Sequence, residues 1–232
     1  MKKLLLTSLL LSGMSLWAQI PDTEHLALVA LYETTNGALW NTTWDLEQSP
    51  DAWDGVTITN GHVTELRMLF NNLDGSLPAQ VSQLTELKVL ELSFNKLHGN
   101  LPSSLGNLKK LEILALNGND LTGEIPASFG QLTNLKQLHL SSNHFSGMLP
   151  NSLNQLENLV VFNVFQNELS GDLPLTLARS RNLKEFVVAE NHFNTTSEIS
   201  TILLSNSAYM DFNNGLTPTG KSIIAIEVEE GN

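Results

Sequence analysis

Leu87 to Lys110 reads LKVLELSFNKLHGNLPSSLGNLKK, and the same pattern continues on both sides of it at an unbroken interval of 24 residues. Val63, Leu87, Leu111, Leu135, Leu159 and Leu183 each open a unit, and the ninth position of every unit is asparagine: Asn71, Asn95, Asn119, Asn143, Asn167 and Asn191. Self-similarity at such a period marks a solenoid, in which each unit buries its apolar side only against its neighbours.

Within a unit, the alternation Leu90, Glu91, Leu92 has period two, the pattern of a short strand with one buried face. Stacked units pair these strands in parallel about 4.8 Å apart, so six or seven make a sheet roughly 30 Å along. The asparagine falls where the chain leaves the strand, and its amide is expected to satisfy buried backbone groups in the same coil and the next. Losing such a partner costs about 1–3 kcal/mol. An apolar residue follows two positions on (Leu73, Leu97, Leu121, Phe145, Leu169, Phe193), then glycine at 75, 99, 123, 147 and 171. A glycine at a fixed place implies a backbone angle other residues disfavour. Pro78, Pro102, Pro126, Pro150 and Pro174 come three residues later and suit the opening of a short outer helical turn. Leu105 and Leu108 then return toward the core.

The pattern LxxLxLxxNxLxGxLPxxLGxLxx over residues 63 to about 194 resembles the plant-specific class of leucine-rich repeat. The resemblance implies an α/β fold: a curved leucine-rich-repeat solenoid of six 24-residue repeats, with a parallel β-sheet on the concave face and short 3-10 or α turns on the convex face. The sixth unit departs from the pattern, with Thr195 in place of glycine and Glu198 in place of proline, and its tail from Ser197 to Leu204 reads as an ordinary helix. Continuing the register puts Met210 and Phe212 on a degenerate seventh coil, with Gly215 at the asparagine position. Repeats thus cover 63–206, and the degenerate coil with a C-terminal cap covers 207–232.

Residues 19–62 read as an N-terminal cap of helix plus β-hairpin. Asp22 and Glu24 suit a helix start, Leu26, Val29 and Tyr32 line one face, and Asn36-Gly37 ends the helix. Trp40, Trp44 and Trp53 follow, and Asn60-Gly61 between two alternating runs is a hairpin signal. The stretch DAWDGVTITNGHVTEL resembles the end of plant-type caps, with Asp51 and Ile58 where that family has cysteines. The resemblance supports a cap and removes its disulfide, and the segment also resembles the cysteine-free caps of bacterial surface proteins with plant-type repeats.

Lys2 and Lys3, the apolar run Leu4–Trp17 and Ala18 read as a secretory signal peptide over residues 1–18. The run is shorter than the roughly 20 residues of a membrane span, so no span is expected in the mature chain. Absence of cysteine excludes lipid attachment through a thiol, disulfides and thiolate metal sites. With 12 basic against 24 acidic residues, the net charge of -12 argues against nucleic acid.

Catalytic motifs are missing: no phosphate loop, GxSxG, HExxH or paired-cysteine site occurs. His139 and His144 fall on strand and turn respectively and read as solvated histidines. Asp74, Asp120, Glu124, Glu168 and Asp172 scatter over outward positions, and the loop of Asp51, Trp53 and Asp54 is the only stretch resembling an oxygen-ligand site. Asn41-Thr42-Thr43 and Asn194-Thr195-Thr196 match the glycosylation sequon. No enzyme activity, cofactor or metal is expected.

By register, unit positions two, three, five, seven and eight cover the concave face. Leu69, Phe70, Phe94, Val89, Ile113 and Ala115 are expected to form an exposed apolar surface on the first three coils, beside Arg67 and Glu91, with His139, Asn163 and Phe165 further along. Apolar patches rimmed by charge mark interfaces. The resemblance implies a secreted or cell-surface recognition module that binds an extracellular protein or peptide. A carbohydrate or cell-wall module with Phe70, Phe94 and Phe165 as aromatic platforms, and a structural surface spacer, are the alternatives.

Overall fold

The computed structural model describes residues 20–178, 180–194 and 222–224. The expected signal peptide, the helix over 197–204 and Met210, Phe212 and Gly215 lie outside the described residues.

Helix α1 spans Asp22–Thr34 and starts directly after Pro21, with Asp22 inside its first turn rather than capping it through a side chain. Its buried face is Glu24, Ala27, Leu28 and Leu31, not the expected Leu26, Val29 and Tyr32. Leu26 is 62% exposed, while Val29 and Tyr32 pack only partly against the core. The reason is Glu24, the first member of an i, i+3, i+4, i+7 stripe. Its carboxylate turns inward and accepts hydrogen bonds from the Val63 amide at 2.8 Å and from His62 Nδ1 at 2.7 Å. The buried stripe thus opens on a charged residue and runs beside the face that Leu26, Val29 and Tyr32 mark.

Strands β1 (Val56–Thr59) and β2 (His62–Arg67) form an antiparallel hairpin. Asn60 and Gly61 both take left-handed angles, φ 52 and 76, the conformation of the tight turn that matches strand twist. The first coil continues into β3 (Asp74–Gly75). The next coils contribute β4 (Val89–Glu91) with β5 (Lys96–Asn100), β6 (Ile113–Ala115) with β7 (Asp120–Gly123), and β8 (Gln137–His139) with β9 (His144–Met148). The last pairs are β10 (Val161–Asn163) with β11 (Glu168–Gly171), and β12 (Glu185–Val187) with β13 (His192–Phe193).

The even-numbered strands stack in parallel as the concave sheet, each residue facing its equivalent 24 positions on. The odd-numbered strands from β3 to β13 make a second parallel sheet beyond the asparagines. That second sheet was not foreseen, although Leu97 between the exposed Lys96 and His98 carries its alternation. Gly99, Gly123, Gly147 and Gly171 on it have φ of 77–78, as the fixed glycine implies.

Outer turns run Ala79–Gln83, Ser103–Asn107, Ala127–Gln131 and Asn151–Gln155 as 3-10 helices, with α2 (Leu175–Ala178) in the fifth coil. The prolines stand one residue before these turns in extended conformation, Pro78 at φ -76 and ψ 147, rather than as their first helical residue. A seventh strand, β14 (Ser222–Ile224), pairs in parallel with β12, Phe186 opposite Ile223. Met210, expected opposite Phe186, lies outside the described residues; among those described, the strand beside β12 comes from the apolar run of the tail.

The asparagines bind backward. Asn119 Nδ2 donates to Leu116 O in its own coil at 2.9 Å and to Leu92 O in the preceding coil at 3.1 Å. Its Oδ1 accepts from Leu97 N at 3.0 Å. Asn143, Asn167 and Asn191 repeat the arrangement, so the expected bond to the next coil is a bond to the previous one. Asn71 has no coil before it and uses the cap: it receives Thr42 N on Oδ1 at 2.6 Å and donates to Thr42 O at 3.0 Å.

Replacing Asn119 by alanine leaves the buried Leu97 amide without its acceptor, worth about 1–3 kcal/mol, and takes one of two donors from the Leu92 and Leu116 carbonyls, which keep Asn95 and Asn143 respectively. Urea unfolding is expected to show a loss of about 3 kcal/mol for Asn119→Ala. A loss below about 1 kcal/mol would mean that water replaces the ladder.

Candidate functional site

Position eight, just before each ladder asparagine, is left-handed in all six coils. Phe70, Phe94, Ser142, Gln166 and Glu190 have φ between 50 and 57, and Gly118 has φ 66. A left-handed L-residue costs about 1–2 kcal/mol, and the ladder bonds on the following residue hold it there. The amide hydrogen bonds also run on through this position, Phe94 N to Asn117 O at 2.8 Å and Ser142 N to Phe165 O at 2.8 Å. Position eight is thus a straight column of side chains along the rim of the concave sheet.

The column starts with two phenylalanines. Phe70 and Phe94 stack with ring centroids 4.5 Å apart and planes inclined by 2°, and they are 63% and 47% exposed. The far side of Phe94 lies against Gly118, where an added Cβ would come within 2.6 Å of Phe94 Cδ1. Leu69 beside them is 40% exposed. Asn41 Nδ2 donates to Phe70 O at 2.6 Å and Asn72 Nδ2 to Leu39 O at 2.8 Å. These bonds tie the cap backbone around Leu39, which is 70% exposed, to the first turn.

Val89 and Ala115, expected in the exposed patch, are buried. Val89 stands between Glu65 and Ile113, and Ala115 between Glu91 and His139, each in direct register. Longer neighbours at strand spacing close over the shorter side chains. Ile113, Asn163 and Phe165 are half-buried. The cap tryptophans do not cover the rim: Trp40, Trp44 and Trp53 are buried in their own stack, Trp44 and Trp53 at 4.8 Å and 12°. Each indole nitrogen donates to a backbone carbonyl, of Thr35, Asp54 and Asp45 respectively.

Arg67 donates Nε to Glu65 at 2.9 Å and Nη1 to Glu91 at 2.5 Å, and these bonds, the one to Glu65 foremost, raise its pKa. His139 lies on β8 near Gln137 Oε1 at 3.3 Å. Burial pushes its pKa down from the ordinary 6.5, against the opposing pull of Glu185 and Glu91. His144 is exposed on the second sheet, 3.9 Å from Asp120 and 3.6 Å from Glu168, and the two histidines do not converge. Asp51 and Asp54 are exposed, and among the described residues no three His, Asp or Glu side chains are placed to hold a metal ion.

Two outcomes follow from this geometry. Gly118→Ala must displace the Phe94 ring and strain a left-handed position, so it is expected to cost about 1–2 kcal/mol in unfolding; unchanged stability would show that the ring is free to move. A His139 held neutral in the folded chain takes up its proton on unfolding. The stability it contributes is complete above pH 6.5 and is lost as pH falls through its lowered folded value. His139→Gln should therefore flatten the acid limb of stability against pH below 6.5, while parallel curves would contradict the assignment.

A family model described as "Leucine-rich repeat region" matches residues 62–218. The LRR ectodomain of the receptor kinase SOBIR1 from Arabidopsis thaliana is 31% identical over 77% of this chain and 98% of that one, with a TM-score of 0.67. The PEPR1-AtPEP1 structure is 28% identical over 75% of this chain, with a TM-score of 0.67, and this chain spans only 25% of its length. A plant ice-binding protein is 27% identical over 75% of this chain and 58% of its own, with a TM-score of 0.68. No curated protein matches in sequence. The two parallel sheets, the asparagine ladder and these likenesses agree: the chain belongs to the leucine-rich repeat family.

Proposed function

We propose that the protein is a secreted or cell-surface recognition module, directed by the signal peptide at residues 1–18, that binds a protein or peptide partner through the concave face and its rim without catalysis. The observation that carries this reading is the exposed Phe70–Phe94 stack with Leu69 adjoining Phe70 in the chain. Exposed large apolar side chains gathered at one place mark interaction sites. These three are among seven exposed large hydrophobic residues in the described structure. The likeness to a receptor-kinase ectodomain supports the same use, as does a structure in which no described helix is long and apolar enough to cross a membrane.

The glycan reading loses its platforms. Phe94 is covered on one side by Phe70 and on the other by Gly118, and Phe165 is half-buried three coils away. Among the described residues no row of free ring faces is left for sugars.

The test is a pull-down from the source organism's envelope and medium with wild type and Phe70→Ser/Phe94→Ser, circular dichroism establishing that both are folded. A protein recovered by wild type and lost in the double variant is the expected result. Equal recovery would move the site away from the first coils.

A further inference from the structure

The position-eight column changes chemistry from one end to the other. It reads Phe70, Phe94, Gly118, Ser142, Gln166, Glu190, with one backbone conformation throughout. After the aromatic pair comes a hydrogen-bonding track, where Ser142 Oγ donates to Gln166 Oε1 at 3.0 Å and Asn117 and Ser141 stand half-exposed alongside. Among the described residues the column's last member is Glu190, which is exposed.

Glu190 differs from most acidic residues of the concave side. Glu65 and Glu91 are held by Arg67, and Glu112 by Lys136. Among the described residues no side chain pairs with the Glu190 carboxylate, and only its backbone carbonyl is used, accepting Asn167 N at 3.0 Å. Among the described residues, one end of the rim therefore offers apolar area and the other a negative charge with no ion-pair partner, with neutral donors and acceptors between.

The spacing is a ruler. Four coil steps separate Phe94 from Glu190 and five separate Phe70 from it, about 19–24 Å at the usual strand separation. An extended peptide rises about 3.3 Å per residue, so the same distance is covered by about six or seven residues. We propose that the rim reads an extended peptide carrying an aromatic or aliphatic anchor for Phe70 and Phe94 and a lysine or arginine about six or seven residues away for Glu190. The proposal rests on the recognition reading above and specifies its partner as a peptide of apolar and basic character, whose charge complements a chain of net -12.

A phage-displayed library of random 12-residue peptides, selected on the immobilised full chain, tests it against two variants. Glu190→Gln removes the charge without disturbing the turn, because Gln166 already adopts the same left-handed conformation. Phe70→Ser/Phe94→Ser removes the anchor site. The wild-type pool is expected to enrich apolar–basic pairs spaced by about six or seven residues; the Glu190→Gln pool should keep the anchor and lose the basic preference; the double variant should enrich neither. A synthetic peptide from the wild-type pool should bind Glu190→Gln about fivefold more weakly, the scale of one exposed ion pair.

Peptides whose basic residue stands at no fixed distance, or is retained on Glu190→Gln, would overturn the ruler while leaving Phe-dependent recognition intact. Failure of every pool to enrich a Phe-dependent sequence would overturn the peptide proposal; recognition of a folded protein would then rest on the pull-down alone.

Discussion

One side-chain amide per coil decides the shape of this protein. A chain leaving a buried strand exposes carbonyls and amides that neither water nor a regular ladder reaches. Asparagine at position nine is short enough to fit and carries both donors and an acceptor. Because its bonds go to its own coil and to the one before, each coil is fixed against its predecessor, and a length change in any unit would break the alignment of the next. The unbroken period of 24 is the consequence. So is the role of the cap, whose Thr42 backbone gives Asn71 what a preceding coil would have given.

The cap solves its own problem by different chemistry. Without cysteine, the long segment between α1 and β1 is held by Tyr32, Trp40, Trp44 and Trp53, stacked edge or face at 4.8–5.2 Å, with every indole hydrogen bonded. Aromatic pairs contribute about 0.5–1.5 kcal/mol beyond their burial. Glu24 adds a second tie from α1 to β2, and Gly75 a third, since a side chain there would strike Thr34 O. Helix, tryptophan stack and hairpin thus close the end of the solenoid as one unit.

The solenoid, its repeat boundaries and the strand face were legible because they are periodic, and errors of local reading cancel over six copies. The non-repeating parts were less so. A buried carboxylate at Glu24 shifted the face of α1, and the described strand beside β12 comes from the apolar run at Ser222. The expected exposure of the concave patch holds at some positions and fails at others. Phe70, Phe94 and Leu69 are exposed, while Val89 and Ala115 are closed over by longer neighbours, a matter of cross-strand packing that one strand's sequence does not contain. The signal that was missed lay in plain view: Gly118 occupies the place of Phe70 and Phe94 in the third coil, and a glycine among such residues points to a left-handed position.

That left-handed position is also what makes the rim available for change. Side chains inside the coil are constrained by close packing, and those on the concave strands by neighbours 4.8 Å away. Position eight projects from a turn whose geometry is set by the next residue, so its side chain is free to vary while the backbone is not. Phenylalanine, glycine, serine, glutamine and glutamate all stand there on one conformation. A scaffold that separates the residue holding the turn from the residue displayed by it can alter what it recognises, coil by coil, without altering how it folds.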